Sequence, residues 1–299
     1  MLLPILGAAH VEVGGCPCRY ANVSFKLIIL KLKLDMAALE PIPDRIVLHY
    51  FALRGRGEVA RLMLEDQAVA YEQKLVGGGR LMNPGAISIH DYDALKADAS
   101  FAGPLGYLPV LRWGELEEIN EAMAINQFLG KKLGLWPRAG GDEDRAHVEA
   151  RAAALAMGAY SMISEKIYAD IFSPPLFPKL SPSMRTSAAF VLDRLEAALG
   201  EKRWFVGDAA CYADFVVFDA LDVYAEVYGA RAAFRGRPGL ARFRDAVAAR
   251  PNVAAYLRSD RRYRYITVLQ PYFLLRHLAA CRVALAATVV AALYRWCIL

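Results

Sequence analysis

One tyrosine stands where a side chain can meet a ligand. Tyr50 lies near the end of the apolar run 45–51, which is typical of a β-strand, and Gly55 and Gly57 then open a segment with helical spacing. With a further strand over 71–76, the pattern predicts a βαβ unit, whose ligand face lies at the strand ends. The phenolic hydroxyl of Tyr50, which can donate and accept hydrogen bonds, is expected at that face.

The main chain of Leu108, just before Pro109, is the second candidate for ligand contact. The segments 108–111 and 115–119 predict a hairpin, and a helix is expected over 121–133. If the bond between Leu108 and Pro109 is cis, it turns the backbone of Leu108 outward to meet a ligand. The order βαβ followed by ββα predicts a thioredoxin-like domain.

Cysteine and histidine spacing argues against metal and disulfide chemistry. The chain has five cysteines, an odd number, and four of them lie near its two ends, so a disulfide framework is not expected and a reducing compartment fits best. Cys16 and Cys18 have too few partners for a zinc site, and the five histidines show no ligand spacing. We expect no metal.

Composition describes a globular chain with apolar ends. The 299 residues are 56% apolar and 22% charged, enough for a large core, and the mean hydropathy is +0.24. The formal charge of +5 includes three arginines in residues 269–299, which contain no acid, so the body is nearly neutral. A nearly neutral body with no basic run argues against nucleic-acid binding.

The two ends are predicted to be extensions of the body. Residues 1–43 make a poor signal peptide, because Pro4 and Glu12 interrupt the apolar run, and 24–34 reads as an extra strand, an amphipathic anchor or poorly ordered chain. The tail 269–299 has only twelve uncharged residues in a row, short for a membrane span. A tail anchor, a terminal helix on the body and a disordered end all stay open.

The second half of the chain is predicted to be all helical. Strand patterns stop at residue 142, and Pro137, Gly140 and Gly141 interrupt helical periodicity just before it. We therefore predict a thioredoxin-like domain over 44–135 and an all-helical domain over 142–268. Helices are expected over 142–166, 181–199, 213–228, 240–249 and 253–257.

A family resemblance runs through both halves, over roughly residues 44–268. The opening YFALRGRGEVAR at Tyr50 strongly resembles that of cytosolic glutathione transferases of the classes with a catalytic tyrosine (sigma, pi, mu and alpha), and sigma is the closest. Seven further segments follow in the family's order, beginning at residues 92, 106, 121, 133, 204, 213 and 251: YDALK, GYLPVL, EAMAI, LGLW, WFVGD, AD and PNVAAYL.

The resemblance implies that Tyr50 activates the thiol of glutathione. A thiol of pKa ~8.5 is only about 3% thiolate at pH 7, and a hydroxyl hydrogen-bonded to the sulfur favours the anion. Arg56 matches a position that supports the tyrosine electrostatically, and a salt bridge to Glu58 or Glu65 is the alternative reading. Arg54 is expected to be structural.

The resemblance also implies where glutathione is bound. Leu108 would supply main-chain hydrogen bonds, and Tyr92 with Lys96, four residues apart on one helix face, would hold the glycyl carboxylate. Glu121 would bind the ammonium of the γ-glutamyl end, and the helix N-terminus its carboxylate. The full implied glutathione site comprises Tyr50, Tyr92, Lys96, Tyr107, Leu108, Pro109, Glu121 and Ala122.

Three positions depart from the family's pattern. Ala122 lacks the usual hydroxyl, a loss of ~0.5 to 1.5 kcal/mol of binding. Cys211 replaces a Ser or Thr helix cap, a role that Asp214 can take with its own carboxylate. Ala153 stands where an acid is often found, which puts the partner subunit's contribution in doubt.

The implied function is conjugation of the glutathione thiolate to small hydrophobic electrophiles by a cytoplasmic homodimer with no metal. Side chains between the domains would line the electrophile pocket: Phe51, Leu53, Met157, Tyr160 and Met162. A sigma-like isomerase or a peroxidase would share the site. The rival reading is a non-catalytic binding or assembly module, favoured by Ala122 and Ala153.

Overall fold

The first half of the described chain is built around a four-stranded mixed sheet. The computed structural model describes residues 41–76, 94–116, 118–140, 143–172, 182–264 and 266. All the elements below belong to the unit that begins at Ile42. The strands are β1 (Ile46–Phe51), β2 (Glu72–Val76), β3 (Val110–Trp113) and β4 (Ile119–Asn120).

The strand order β2-β1-β3-β4 confirms the thioredoxin-like pattern predicted from the sequence. Strand β1 pairs in parallel with β2 and antiparallel with β3, which is antiparallel to β4. The central strand is buried over 46–50, as expected for a strand covered on both faces. The helices of this half are α1 (Glu58–Asp66), which follows a 3₁₀ turn at Gly55–Gly57, α2 (Ala99–Ala102) and α3 (Ala122–Lys132).

Within its described residues, the second half contains helices joined by turns and loops and no strand, as predicted. Its central helix is buried at every position from Tyr212 to Tyr224, so it forms the middle of the core rather than a surface. The α-helices are α4 (Arg145–Ala159), α5 (Glu165–Phe172), α6 (Pro182–Leu199), α7 (Tyr212–Tyr228), α8 (Ala230–Phe234), α9 (Pro238–Ala248) and α10 (Pro251–Arg258).

Two details of this half differ from the sequence prediction. The segment 142–166 is not one helix, because α4 ends at Ala159 and a single π turn, Tyr160–Ser164, joins it to α5. The short helix α8 was also not expected. A π turn changes the register of a helix without changing its composition, so no periodicity predicts it.

The N-terminus of α7 is capped as expected for a chain with Cys211 at this position. The carboxylate of Asp214 accepts the N–H of Cys211 at 2.8 Å and the N–H of Phe205 at 3.0 Å. Burial raises the pKa of Asp214 to about 6, although both hydrogen bonds favour the ionised form. Asp214 and Cys211 thus form a reciprocal capping box, in which the Cys211 side chain faces the N–H of Asp214.

Within these described ranges, no helix is both long and apolar enough to cross a bilayer. The predicted extension over residues 1–43, except 41–43, and the predicted tail 269–299 lie outside the described residues.

Candidate active site

Tyr50 lies at the carboxyl end of the central strand, packed against a glycine turn. A Cβ atom on Gly55 would lie 2.6 Å from the Tyr50 hydroxyl oxygen, and one on Gly57 would lie 2.6 Å from the ring atom Cδ1. Gly55 also has φ +41°, in the left-handed region. The two glycines thus let the turn close onto the aromatic ring, which is 5% exposed.

The hydroxyl group of Tyr50 is oriented by main chain. Its oxygen accepts the N–H of Arg56 at 2.8 Å, and its own proton has no acceptor within the described ranges. Burial raises the pKa of Tyr50 to about 12, against the opposing effects of the Arg56 N–H and the charges of Arg56 and Arg61. The phenol is therefore neutral at physiological pH and can act as a hydrogen-bond donor.

The side chain of Arg56 is paired across the two halves of the chain. Its Nε and NH2 atoms donate to the two carboxylate oxygens of Glu165, each at 2.8 Å, and Tyr160 also hydrogen-bonds this carboxylate. Burial acts to raise the pKa of Glu165, but the Arg56 and Tyr160 hydrogen bonds outweigh it and the pKa lies below its ordinary value. The salt bridge suggested with Glu58 or Glu65 is wrong, because Glu165 occupies the guanidinium.

Two further arginines are buried and pair with protein groups around the turn. Arg54 is 2% exposed, pairs with Asp222 and Glu226, and is structural as expected. Arg61 is fully buried and donates to the carbonyls of residues 51, 53 and 54, with its guanidinium 5.6 Å from the centre of the Tyr50 ring. This role of Arg61 was not predicted, because its helical position on α1 gave no sign of its carbonyl partners.

Leu108 presents main chain beside the strand ends. The bond between Leu108 and Pro109 is cis. Within the described residues, neither the N–H nor the carbonyl of Leu108 has a hydrogen-bond partner, so both can pair with an extended ligand. Buried Asn120, which was also missed, fixes the preceding loop by donating to the carbonyls of Ala102 at 2.9 Å and Tyr107 at 2.5 Å.

Tyr107 and Glu121 come together at the N-terminus of α3. The Tyr107 hydroxyl donates to Glu121 Oε1 at 2.9 Å, and this hydrogen bond raises the pKa of Tyr107. Glu121 has φ +73°, unusual for a residue with a side chain, and Ala122 behind it is 2% exposed. The first N–H groups of α3 and an exposed carboxylate therefore lie side by side, suited to the two charges of an amino acid.

Of the two residues expected at the glycyl end, only Lys96 is described. It lies in a turn just after helical residues 94 and 95, and its carbonyl is 3.4 Å from where a Cβ of Gly106 would lie. Lys96 is thus on the same loop edge as Tyr107 and Leu108. Tyr92 lies outside the described residues.

Only some of the residues expected to line the electrophile pocket lie near Tyr50 in the structure. The ring of Phe51 packs edge-on against Tyr50 at 5.4 Å between centroids, buried Leu53 touches the same turn, and Tyr160 hydrogen-bonds Glu165. Met157 and Met162 are 44% and 36% exposed, and no described contact brings them to Tyr50.

Cavities with described linings lie away from Tyr50. One of them, about 620 Å³, is bounded by the segment after α3 and the loop after α6. Among the described residues, no group of three or more His, Cys, Asp or Glu side chains is arranged to hold a metal ion.

Comparison with known proteins identifies relatives over most of this chain. Residues 179–260 match the family model described as glutathione S-transferase, C-terminal domain. Glutathione S-transferase Mu 1 of Oryctolagus cuniculus is 28% identical over 220 residues, 72% of this chain and 92% of that protein. The hematopoietic prostaglandin D synthase of Gallus gallus is 26% identical over 220 residues, 70% of this chain and 94% of that protein.

Solved structures share the fold. A glutathione S-transferase of the hookworm Necator americanus, described as monomeric, superposes with a TM-score of 0.57 at 18% identity, covering 72% of this chain and 98% of that one. The likeness extends over both the sheet and the helices, and at this identity it concerns the fold alone.

Proposed function

We propose that this chain, which belongs to the cytosolic glutathione S-transferase family, conjugates the thiolate of glutathione to small hydrophobic electrophiles. The observation that carries the proposal is the Tyr50 hydroxyl, whose oxygen accepts the Arg56 N–H and whose proton has no acceptor among the described residues. A neutral phenol with its proton available is the group that a thiolate needs as a hydrogen-bond donor.

Tyr50 acts on the ionisation of the substrate thiol. A hydrogen bond from the phenol stabilises the thiolate over the thiol, and lowering a thiol pKa by two is worth about 2.7 kcal/mol. The proton of the thiol leaves to solvent. With an aryl halide, the sulfur lone pair then forms a carbon–sulfur bond, the carbon–halogen bond breaks, and halide departs with its electron pair.

The rest of glutathione has a proposed place along the loop edge beside Tyr50. Leu108 pairs with the cysteinyl main chain, as an added strand does at a sheet edge. Glu121, supported by Tyr107, binds the γ-glutamyl ammonium, and the N–H groups at the start of α3 bind its carboxylate. Lys96, together with Tyr92, binds the glycyl carboxylate.

A second candidate activity is isomerisation or peroxide reduction at the same site. The similarity to a prostaglandin D synthase supports testing a prostanoid endoperoxide as a substrate. The non-catalytic alternative is favoured by Ala122, which removes one hydroxyl from the glutathione site.

The test of the proposed function compares Tyr50→Phe with wild type in conjugation of glutathione to a generic aryl halide. We expect the rate to fall at least about tenfold and the pKa of bound glutathione, followed by thiolate absorbance, to rise, because the donor to sulfur is lost. Tyr212→Phe is the matched control. The ring of Tyr212 stacks on Trp136, and its buried hydroxyl has no hydrogen-bond partner within the described chain. It should leave both quantities unchanged.

Two results would contradict this assignment. Equal rates for wild type and Tyr50→Phe would move thiol activation to another donor. A wild-type protein that fails to bind immobilised glutathione would favour the non-catalytic module.

We further propose a homodimer, located in the cytoplasm as the family description implies. The 62% exposed Phe190 on α6 and the apolar groove between α4 and α6 are surfaces that a second copy would cover. Light scattering of wild type and Phe190→Glu tests this, and a wild type that is monomeric at all concentrations would show that it behaves like the Necator americanus protein.

The domain division 44–135 and 142–268 also stays a proposal. Residues 269–299 are proposed as a separable tail. A protein lacking them should keep its activity, and a loss of detergent dependence on their removal would assign them a membrane role.

A further inference from the structure

The π turn before α5 brings two polar side chains to one face. In this turn the N–H of Glu165 bonds to the carbonyl of Tyr160, five residues back. In a regular α-helix, residues five apart point about 140° away from each other, since each residue turns the chain by about 100°. The wider turn reduces that angle, and the two side chains hydrogen-bond each other.

Arg56 is the residue that this pair contacts, and it is the middle residue of the 3₁₀ turn Gly55–Gly57. The glycines on both sides pack against Tyr50, and the N–H of Gly55 bonds the carbonyl of Ile266. The Arg56 N–H is the group that bonds the Tyr50 oxygen. Its side chain is fixed by two hydrogen bonds to a carboxylate 109 residues away in sequence.

We propose that Glu165, supported by Tyr160, is a positioning residue for thiol activation: it anchors Arg56 so that the Arg56 N–H stays on the Tyr50 oxygen and the phenolic proton points toward the substrate sulfur. This inference rests on the proposed conjugation function. Arg56 then contributes mainly through the position of its main chain, because its charge is already matched by Glu165.

A purely electrostatic role makes the opposite prediction. If the charge of Arg56 stabilised the thiolate directly, neutralising Glu165 would free that charge and lower the thiol pKa. The other ionisable groups that interact with this set are Tyr50, Arg61, Tyr107 and Tyr168, and none of them changes in the variants below.

The experiment measures the pKa of glutathione bound to wild type and Glu165→Gln by thiolate absorbance, together with the pH profile of kcat/KM. We expect the bound thiol pKa to rise by about 0.5 to 1 in the variant, since the phenol is less well oriented. The value of kcat/KM should then fall about two- to fivefold at pH 6.5 and recover to within about twofold at pH 9, with little change in the KM for glutathione.

Two more variants separate position from charge. Arg56→Lys keeps the positive charge but cannot donate two hydrogen bonds to the Glu165 carboxylate at once. It should therefore raise the bound thiol pKa and lower kcat/KM as Glu165→Gln does. The double variant Arg56→Lys with Glu165→Gln should show the same bound thiol pKa and the same kcat/KM as either single variant, because both changes break the same Arg56–Glu165 pair. Tyr160→Phe, which retains the Arg56 pair, should show a smaller effect of the same sign.

Glu201→Gln, which neutralises an exposed acid paired with Arg242, is the matched control. It should change neither the bound thiol pKa nor kcat/KM. Thermal unfolding of each variant checks that it folds. A lowered or unchanged thiol pKa in folded Glu165→Gln overturns this inference and leaves the function of Tyr50 intact. A wild type that does not ionise glutathione refutes the proposed function itself.

Discussion

At the residue scale, the site depends on close contact between one ring and one turn. The motif around Tyr50 predicted the turn glycines from sequence, because those glycines lie at fixed spacing from Tyr50, and the role of Tyr50 as the donor to a thiol stays a prediction. The partner of Arg56 could not be predicted. Glu165 is 109 residues away, and its direction depends on a π turn that leaves no periodic signal. Glu165 is the one acid between Tyr160 and Tyr168, but its spacing gives no sign of a contact with Arg56.

Ala122 offers a direct test of the γ-glutamyl end. Ala122→Ser restores a hydroxyl at the first position of α3, beside the proposed carboxylate site, and one added hydrogen bond is worth about 0.5 to 1.5 kcal/mol. We expect the Kd for glutathione to fall about two- to tenfold by calorimetry. Ala124→Ser, on the exposed side of the same turn, should leave the Kd unchanged, and equal Kd values for wild type and Ala122→Ser would contradict the placement.

At the element scale, the end of α1 is fixed by the start of α10. Arg250 donates to both carboxylate oxygens of Asp66 at 2.6 Å, and the Asn252 side chain donates to the Asp66 carbonyl at 2.8 Å. Helical spacing predicted α1 and α10 separately, from Val59, Leu62 and Val253 among others. Their pairing joins residues 184 apart, which no local pattern reveals.

Breaking this contact should cost stability without touching the catalytic chemistry. Arg250→Met leaves the Asp66 carboxylate, whose side chain is 2% exposed, without its ion partner, and such changes cost about 2 to 4 kcal/mol. We expect a clear fall in Tm. Arg145→Met, which removes an exposed pair with Glu149, should change the unfolding free energy by less than about 0.5 kcal/mol, and similar losses for both would refute the assignment.

At the scale of the whole molecule, buried charges join the sheet half to the helical half beneath the turn after β1. Arg262 pairs with Glu58 of α1 at 3.1 Å and with Asp222 of α7 at 2.6 Å, and Arg54 also pairs with Asp222. Asp219 lies in the same network, 5% exposed. The order of domains was predictable from where strand patterns end, whereas this network depends on side chains that meet only after the halves pack.

Asp219 predicts a pH dependence of stability. Burial, with Glu58 and Asp222, raises its pKa to about 8, although Arg54 and Arg262 oppose the shift. The folded state therefore keeps a proton that the unfolded state has lost, so this group weakens the fold as pH rises from about 4 to about 8. Asp219→Asn should raise Tm by several degrees at pH 8 and by less at pH 5.

The comparison needs a control for general charge effects. Asp208→Asn changes an exposed acid and should give the same small shift at both pH values. An equal Tm change for Asp219→Asn at pH 5 and pH 8 would show that the Asp219 carboxyl titrates as it does in water.

The carbonyl of Ile266 accepts the N–H of Gly55 at 3.0 Å, and Ile266 is fully buried. A shortened protein that stops at residue 268 keeps this peptide contact with the turn beside Tyr50, whereas one that stops at residue 260 loses it together with both Arg262 ion pairs. Whether a cut falls before Arg262 or after Ile266 therefore decides whether the turn after the central strand keeps these contacts, which makes the choice of endpoint important in any trimming of this protein.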